Sequence, residues 1–288
     1  MQLPPFIFFG GEPLGVPVLE TLATEGCFPT LIVCNPDRPQ GRKMLLTPPP
    51  VKVWAEAHSI PVFQPESLKD TATYATLTEY SADLFIVVAY GKIIPKNILD
   101  LPKFKTLNVH PSLLPKLRGA SPIRSAILED MNPTGVSIMI LTPGMDEGPI
   151  LAQKEVLVPK ETWPLRGTEL DTLLADVGGK LLVETVPAWI AGAITPQEQQ
   201  HEDATYTVKI TKEMGLIDLN DDPYKNLFKI RAFDGWPSAH FFHEKNSVQT
   251  RIKIVDADLK DGKLHITRVI PEGKTEILYE DFLKLYQN

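Results

Sequence analysis

The run Asp83-Leu-Phe-Ile-Val-Val88 restricts what this chain can fold into more than any other stretch. It offers solvent no polar face, and it is too short and too β-branched for a helix. Such a run suits a strand buried on both sides, which occurs in parallel sheets covered by helices. The flanking sequence agrees. Ile7-Phe8-Phe9 enters Gly10-Gly11 and is followed by a helical pattern of Val16, Val18, Leu19 and Leu22. Thr30 to Cys34 reads as a strand, a Pro-rich loop reaches Pro50, and Val51 to His58 is an amphipathic helix. Pro61 to Phe63 is a short strand, Tyr74 to Tyr80 a helix, and Thr106 to His110 and Val136 to Leu141 are further strands. The alternation predicts an α/β domain with a mostly parallel sheet and right-handed crossovers. Ligands of such sheets bind beyond the carboxyl ends of the strands. Gly10-Gly11, Tyr90-Gly91, His110 and the loop after Leu141 are all expected at that edge.

A chain of 288 residues has room for a second domain. Leu170, Leu173, Leu174, Val177, Leu181, Leu182 and Val186 repeat at helical spacing from Thr168 to Ile190, and Gly192 ends that helix. Residues 1–192 are therefore read as one domain, 193–205 as a polar, glutamine-rich linker, and 206–288 as another. In the last part, Asp222-Pro223 is a helix N-cap and first position, with Leu227, Ile230 and Phe233 on the apolar stripe. Ala239 to Phe242, Arg251 to Val255, Lys263 to Val269 and Glu276 to Tyr279 read as strands of a small barrel or sandwich.

Several classes are disfavoured. The net charge of −7 argues against indiscriminate nucleic-acid binding, although acids and bases cancel after residue 204 and a local basic patch remains open. Two cysteines, Cys27 and Cys34, make neither a disulfide framework nor a metal site, which suits a reducing compartment. With no basic leader and no apolar run of spanning length, the chain reads as soluble and cytoplasmic. Gly10-Gly11-Glu-Pro-Leu-Gly15 lacks the G-x-G-x-x-G spacing of a dinucleotide loop, there is no P-loop, and the six histidines do not pair with cysteines at ligand spacing. No metal site is expected.

Chemistry concentrates after Thr106. Asn108 and His110 lie two apart on a strand and share a face, while Leu107 and Val109 take the other. Pro111, Pro115 and Pro122 stiffen the segment beyond the strand. Thr142-Pro-Gly-Met-Asp-Glu-Gly148 leaves another strand and carries Asp146 in a tight turn. Each residue has a plainer reading: His110 as a strand-end histidine bonded to backbone, Asp146 as a turn-former. Together they form an amide, an imidazole and a carboxylate, a set suited to acyl transfer onto an amine. Asn108 would donate to the developing oxyanion, His110 would accept the amine proton, and Asp146 would face the imidazolium.

Asn108-Val-His110-Pro-Ser-Leu-Leu-Pro-Lys-Leu-Arg118-Gly-Ala-Ser-Pro, with Asp146 in Gly-Met-Asp-Glu-Gly, resembles the formyltransferases that use 10-formyltetrahydrofolate, and among them the branch acting on methionyl-tRNA. The likeness continues through Phe9-Gly10, Asn35-Pro-Asp-Arg-Pro-Gln-Gly-Arg42, Val88-Ala-Tyr-Gly91, Ala204-Thr-Tyr206, Lys209-Ile-Thr-Lys212 and Trp236-Pro. It implies a Rossmann-like catalytic domain followed by an abbreviated OB-like β-barrel. Asn108, His110 and Asp146 match the family's catalytic triad. Ser112, Leu113, Leu114 and Pro115 match its folate-lining segment, bordered by Tyr90 and Gly91. Arg42, Lys43, Lys209 and Lys212 match positions that contact tRNA. The implied co-substrate is 10-formyltetrahydrofolate without metal, and the implied partner is initiator Met-tRNA, engaged by a monomer with no stable protein partner and no membrane. Formylation of an amino-sugar nucleotide and hydrolysis of formyl-folate use the same triad and stay open, as does a non-catalytic nucleotide-binding module.

Overall fold

The structure, a computed structural model, describes residues 3–11, 13–41, 44–245 and 247–286. It contains two compact units. One gathers Met1–Ala120, Thr134–Val156 and Thr172–Tyr206; the other gathers Ser121–Pro133, Leu157–Asp171 and Thr207–Asn288. Among the described residues no helix is long and apolar enough to cross a membrane.

The first unit is built on a seven-stranded sheet. Its spatial order is Ile150–Val156, Thr134–Ile140, Thr106–His110, Leu84–Val88, Phe6–Gly10, Leu31–Val33, Val62–Phe63. The last five of these pair in parallel, and the first two are antiparallel. Phe6–Gly10, Leu84–Val88 and Thr106–His110 are buried at every position, as their apolar runs require. On one face Ile7, Phe9, Leu31, Val33, Phe85 and Val87 pack with Leu77, Ile98 and Leu99. Each such side chain contributes roughly 1.5–3 kcal/mol by leaving water.

Val109 is packed where the sequence places it, away from Asn108 and His110. The helix Gly167–Ile190 comes close enough that a Cβ on Gly178 would lie 2.7 Å from Val109 Cγ1. Glycine at that position lets the helix seat against the strand that carries the candidate site.

One expectation about the sheet is corrected. Thr134–Ile140 runs antiparallel to Thr106–His110, with Ile140 opposite Leu107 and Ser137 opposite His110. Leu141 therefore leaves at the opposite edge from His110, where its N–H donates to Thr106 O at 2.8 Å. Hydrophobic pattern locates a strand but carries no information about its direction. The segment after Leu141 folds back, because Ile150 must pair with Met139 to start the edge strand.

The second unit holds a four-stranded antiparallel meander of His240–Lys245, Val248–Lys260, Lys263–Pro271 and Ile277–Leu278. Among the described residues these strands form an open sheet, consistent with an abbreviated barrel. Asp261 and Gly262 take φ of +51° and +72°, the left-handed pair that a two-residue hairpin turn needs. The helix Pro223–Ala232 is capped by Asp222, which accepts from Lys225 N, and buries Leu227 and Ile230. These join Phe241, Ile252, Ile254, Val269 and Phe282 in one core. Two extents differ from the sequence reading. The Arg251–Val255 strand extends to Val248–Lys260 across register shifts near Asp256, and Tyr279 begins a helix, Tyr279–Tyr286.

Candidate active site

Asn108 and His110 share one face of Thr106–His110 and are 9% and 4% exposed. The Asn108 amide makes no side-chain hydrogen bond among the described residues, so its donors are available to a ligand. His110 Nε2 lies 3.0 Å from Leu117 O. A carbonyl only accepts, so Nε2 carries a proton and Nδ1 is the position that takes another. Facing Nδ1 at 3.8 Å is Asp146 Oδ2. That spacing is too long for a formed hydrogen bond and sets the carboxylate beside the position that takes the proton.

Asp146 reaches His110 despite leaving from the far edge because its turn is tightly held. Asp146 has φ +49°. A Cβ on Gly148 would lie 1.9 Å from Ile140 O, so the returning backbone passes where only glycine fits. Gly119 N donates to Asp146 Oδ2 at 2.7 Å. Gln199 Nε2 donates to Asp146 O and Gly148 O at 2.9 and 2.7 Å. Gln199 is buried, although its sequence context is that of a polar linker. Nothing local in the sequence distinguishes it from neighbouring Gln200.

The expected folate segment is equally well anchored. Ser112 is 1% exposed and donates to Lys116 O. Ser137 Oγ donates to Ser112 O and accepts from Leu114 N and Gln153 Nε2. Gln153 Nε2 also donates to Leu114 O. Leu114 packs with Met139 and Ile150, while Leu113 and Pro115 are half-buried. Further along, Leu117 N donates to Thr205 Oγ1 and Arg118 N to Thr205 O. Ser137, Gln153 and Thr205 are invisible in the sequence as site residues because their importance comes only from tertiary pairing.

Tyr90 and Gly91 follow the central strand Leu84–Val88. Tyr90 is buried, its hydroxyl has no partner among the described residues, and burial pushes its phenol well above the usual value. Gly91, at φ +75°, borders a cleft of about 450 Å³ with Gly11, Asn35, Arg38, Thr47 and Lys92. This cleft lies at the carboxyl ends of Phe6–Gly10, Leu31–Val33 and Leu84–Val88, where the strand order reverses. Asn35 Oδ1 is buried there without a partner among the described residues, while Asn35 Nδ2 donates to Tyr90 O. The loop is braced by Gln64, which donates to Asn35 O and Asp37, and by Lys52 2.8 Å from Asp37. The hydrogen bond from Lys52 holds the Asp37 carboxyl below its usual range. A second cleft of about 250 Å³ is lined by Leu99, Lys105, Ile140, Leu141 and Thr142, whose hydroxyl is buried and has no partner among the described residues. Asn108, His110 and Asp146 line neither cleft.

Lys209 and Lys212 are exposed and form no salt bridge among the described residues. Arg42 and Lys43 lie outside the described residues. The hairpin flanking them, Arg38–Gln40 with Leu45–Thr47, exposes Met44, Leu45 and Leu46. Among the described residues no group of three or more His, Cys, Asp or Glu could hold a metal.

A buried amide donor, a histidine with one free ring nitrogen and a facing carboxylate can move a proton and stabilise an oxyanion without a covalent enzyme intermediate. Comparison with known proteins gives this constellation a family. The formyl transferase model matches residues 6–186, and the formyl transferase C-terminal domain model matches residues 209–277. The chain belongs to the formyl transferase family and is an enzyme of formyl transfer. The chain is 38% identical to the methionyl-tRNA formyltransferase of Bacillus licheniformis over 96% of this chain and 94% of that protein. Among solved structures it is similar to a methionyl-tRNA formyltransferase from Clostridium thermocellum, with TM-score 0.63, 19% identity, and coverage of 93% of this chain and 99% of that one. It is also similar in fold to HypX from Aquifex aeolicus in complex with tetrahydrofolic acid, with TM-score 0.68, 16% identity, and coverage of 99% of this chain and 48% of that one.

Proposed function

We propose that this protein transfers a formyl group from 10-formyltetrahydrofolate to the free amino group of methionine on initiator Met-tRNA, as a cytoplasmic step of translation initiation. The observation that carries the reading is the convergence of Asn108, His110 and Asp146, with Asp146 Oδ2 3.8 Å from His110 Nδ1, in a chain whose near-full-length relatives are methionyl-tRNA formyltransferases. Ser112 to Pro115 and Tyr90-Gly91 would frame the folate donor. Lys209 and Lys212, with Arg42 and Lys43, would contact tRNA phosphates.

When bound, the folate supplies the formyl group to be transferred. His110 Nδ1 takes a proton from the attacking amine and returns it to the nitrogen that leaves the formyl carbon. A carbon–nitrogen bond forms to methionine as the one to folate breaks, so protons and electrons balance. Asn108 donates to the formyl oxygen as it gains charge, a contribution of about 3 kcal/mol for such donors. Asp146 lies against the proton on Nδ1. Its bond from Gly119 N fixes the carboxylate orientation.

The test is tetrahydrofolate release with charged initiator tRNA as acceptor. His110→Ala and Asp146→Asn are each expected to lower kcat by about 10²–10⁴-fold, and Asn108→Ala by about 10²–10³-fold, with unchanged far-UV circular dichroism. A near-normal rate in any of the three removes that residue from the reacting set.

A further inference from the structure

Arg118 is fully buried, yet among the described residues no carboxylate pairs with it. Its guanidinium is used on an amide, a phenol and an imidazole. Nε and Nη2 donate to Gln199 Oε1 at 3.1 and 2.7 Å, Nη1 donates to Tyr206 Oη at 3.2 Å, and His201 Nδ1 lies 3.3 Å from both Nη atoms. Burying a cation without an anion is unfavourable, so its retention calls for a geometric use. The forked contact supplies one. With Oε1 held by two donors of a cation, the Gln199 amide has one orientation, and Nε2 must face away from Arg118. There it meets Asp146 O and Gly148 O, the two carbonyls that flank the turn presenting the Asp146 carboxylate.

The segment carrying Arg118 acts on the same turn directly. Gly119 N, the next main-chain donor, bonds Asp146 Oδ2 at 2.7 Å. Asp146 is thus held by its carboxylate from Gly119 and by its carbonyl from Gln199, and both holds trace to Arg118 and its neighbour. An isolated bridge contributes a third tie, since Gln197 and Ile150 exchange main-chain hydrogen bonds at 2.8 and 2.9 Å just beyond the turn. A turn with a non-glycine residue at positive φ, leaving the wrong edge of the sheet, needs such clamps to keep its carboxylate beside His110.

We infer that Arg118 and Gln199 are positioning residues that set the Asp146 carboxylate against His110 Nδ1, so that turnover depends on a glutamine amide that touches no substrate. The inference rests on Asp146 acting in the formyl-transfer reaction. It assigns residues 197–205, most of the stretch read as a linker, together with Tyr206 to the wall of the reacting site.

The decisive variant is Gln199→Glu. It keeps the size of the side chain and gives Arg118 a carboxylate, but it has no donor for the two turn carbonyls. The expected result is an intact fold with kcat lower by about 10- to 100-fold and KM for formyl-folate within about twofold, as for a misplaced reacting group. Wild-type kcat in this variant overturns the inference, because a glutamine needed only to satisfy Arg118 is replaced well by glutamate. Gln199→Asn adds no charge and shortens the amide by one methylene. It reports the same quantity if Glu disturbs folding, and wild-type kcat there is equally fatal. The kcat cycle with Asp146→Ala separates this inference from the reading beneath it. Gln199→Glu is expected to cost nothing further once Asp146 is removed, whereas a full independent loss in that background overturns the coupling. Full turnover in Asp146→Ala alone would instead overturn the catalytic reading itself.

Discussion

Nδ1 of His110 is the ring nitrogen left to accept a proton, because Nε2 already donates to Leu117 O. That single bond turns a strand-end histidine into an oriented base. The plainer reading of His110, satisfied by backbone, and the catalytic one therefore describe different nitrogens of one ring. The pair Asn108 and His110 was legible from the two-residue strand period, and Asp146 from its glycine-flanked turn. Gln199 and Arg118 were not legible as positioning residues, since burial and amide orientation are properties of the folded chain. Another residue-level consequence concerns Cys34, fully buried behind the cleft at Asn35. Burial pushes its thiol from 9.0 up to about 11, with Lys52 opposing. A raised acid favours the protonated fold, so this contribution is intact below pH 9 and is lost as pH rises through about 11. Denaturant midpoints of wild type are expected to fall more steeply over that interval than those of Cys34→Ala. Parallel pH slopes would show that the thiol does not titrate differently in the fold.

At the scale of elements, apolar runs located the strands of the parallel sheet, because burial on both faces leaves a signal that does not depend on partners. Direction and edges left none. Ile150–Val156 carries Gln153, Lys154 and Glu155 on an edge with an exposed face, so it lacks the signature of a buried strand. Tyr279, Phe282 and Leu283 are spaced for a helix, but the β-favouring residues just before them mask its start. The antiparallel pair that redirects the Asp146 turn also supports the proposed folate segment, Ser112 to Pro115. A Cβ on Gly135 would stand 2.4 Å from Lys154 O and 2.6 Å from Leu113 Cδ2. Gly135→Ala must therefore push apart the edge pairing or move Leu113. It is expected to destabilise the fold by about 1–3 kcal/mol and to raise KM for formyl-folate more than it lowers kcat. Unchanged thermal stability would mean the sheet absorbs the methyl without disturbing that segment.

For the whole molecule, the proposed tRNA acceptor is a polyanion and the net charge is −7, so attraction would have to be local. Lys209 and Lys212 are exposed and stand in the balanced C-terminal part. If each neutralises one phosphate, Lys209→Ala and Lys212→Ala should each lower the slope of log Kd against log salt by about 0.7–0.9 for tRNA, with kcat at saturating tRNA retained. A slope identical to wild type would place the phosphate contacts elsewhere. The acceptor is where this reading departs from its alternatives, because a sugar-nucleotide formyltransferase and a formyl-folate hydrolase need the same three side chains. The most direct measurement is tetrahydrofolate release from 10-formyltetrahydrofolate with charged initiator Met-tRNA, with an amino-sugar nucleotide, and with no acceptor. Turnover that requires Met-tRNA and yields formyl-methionyl-tRNA is the predicted result; equal release without acceptor, or release only with the sugar nucleotide, would contradict it.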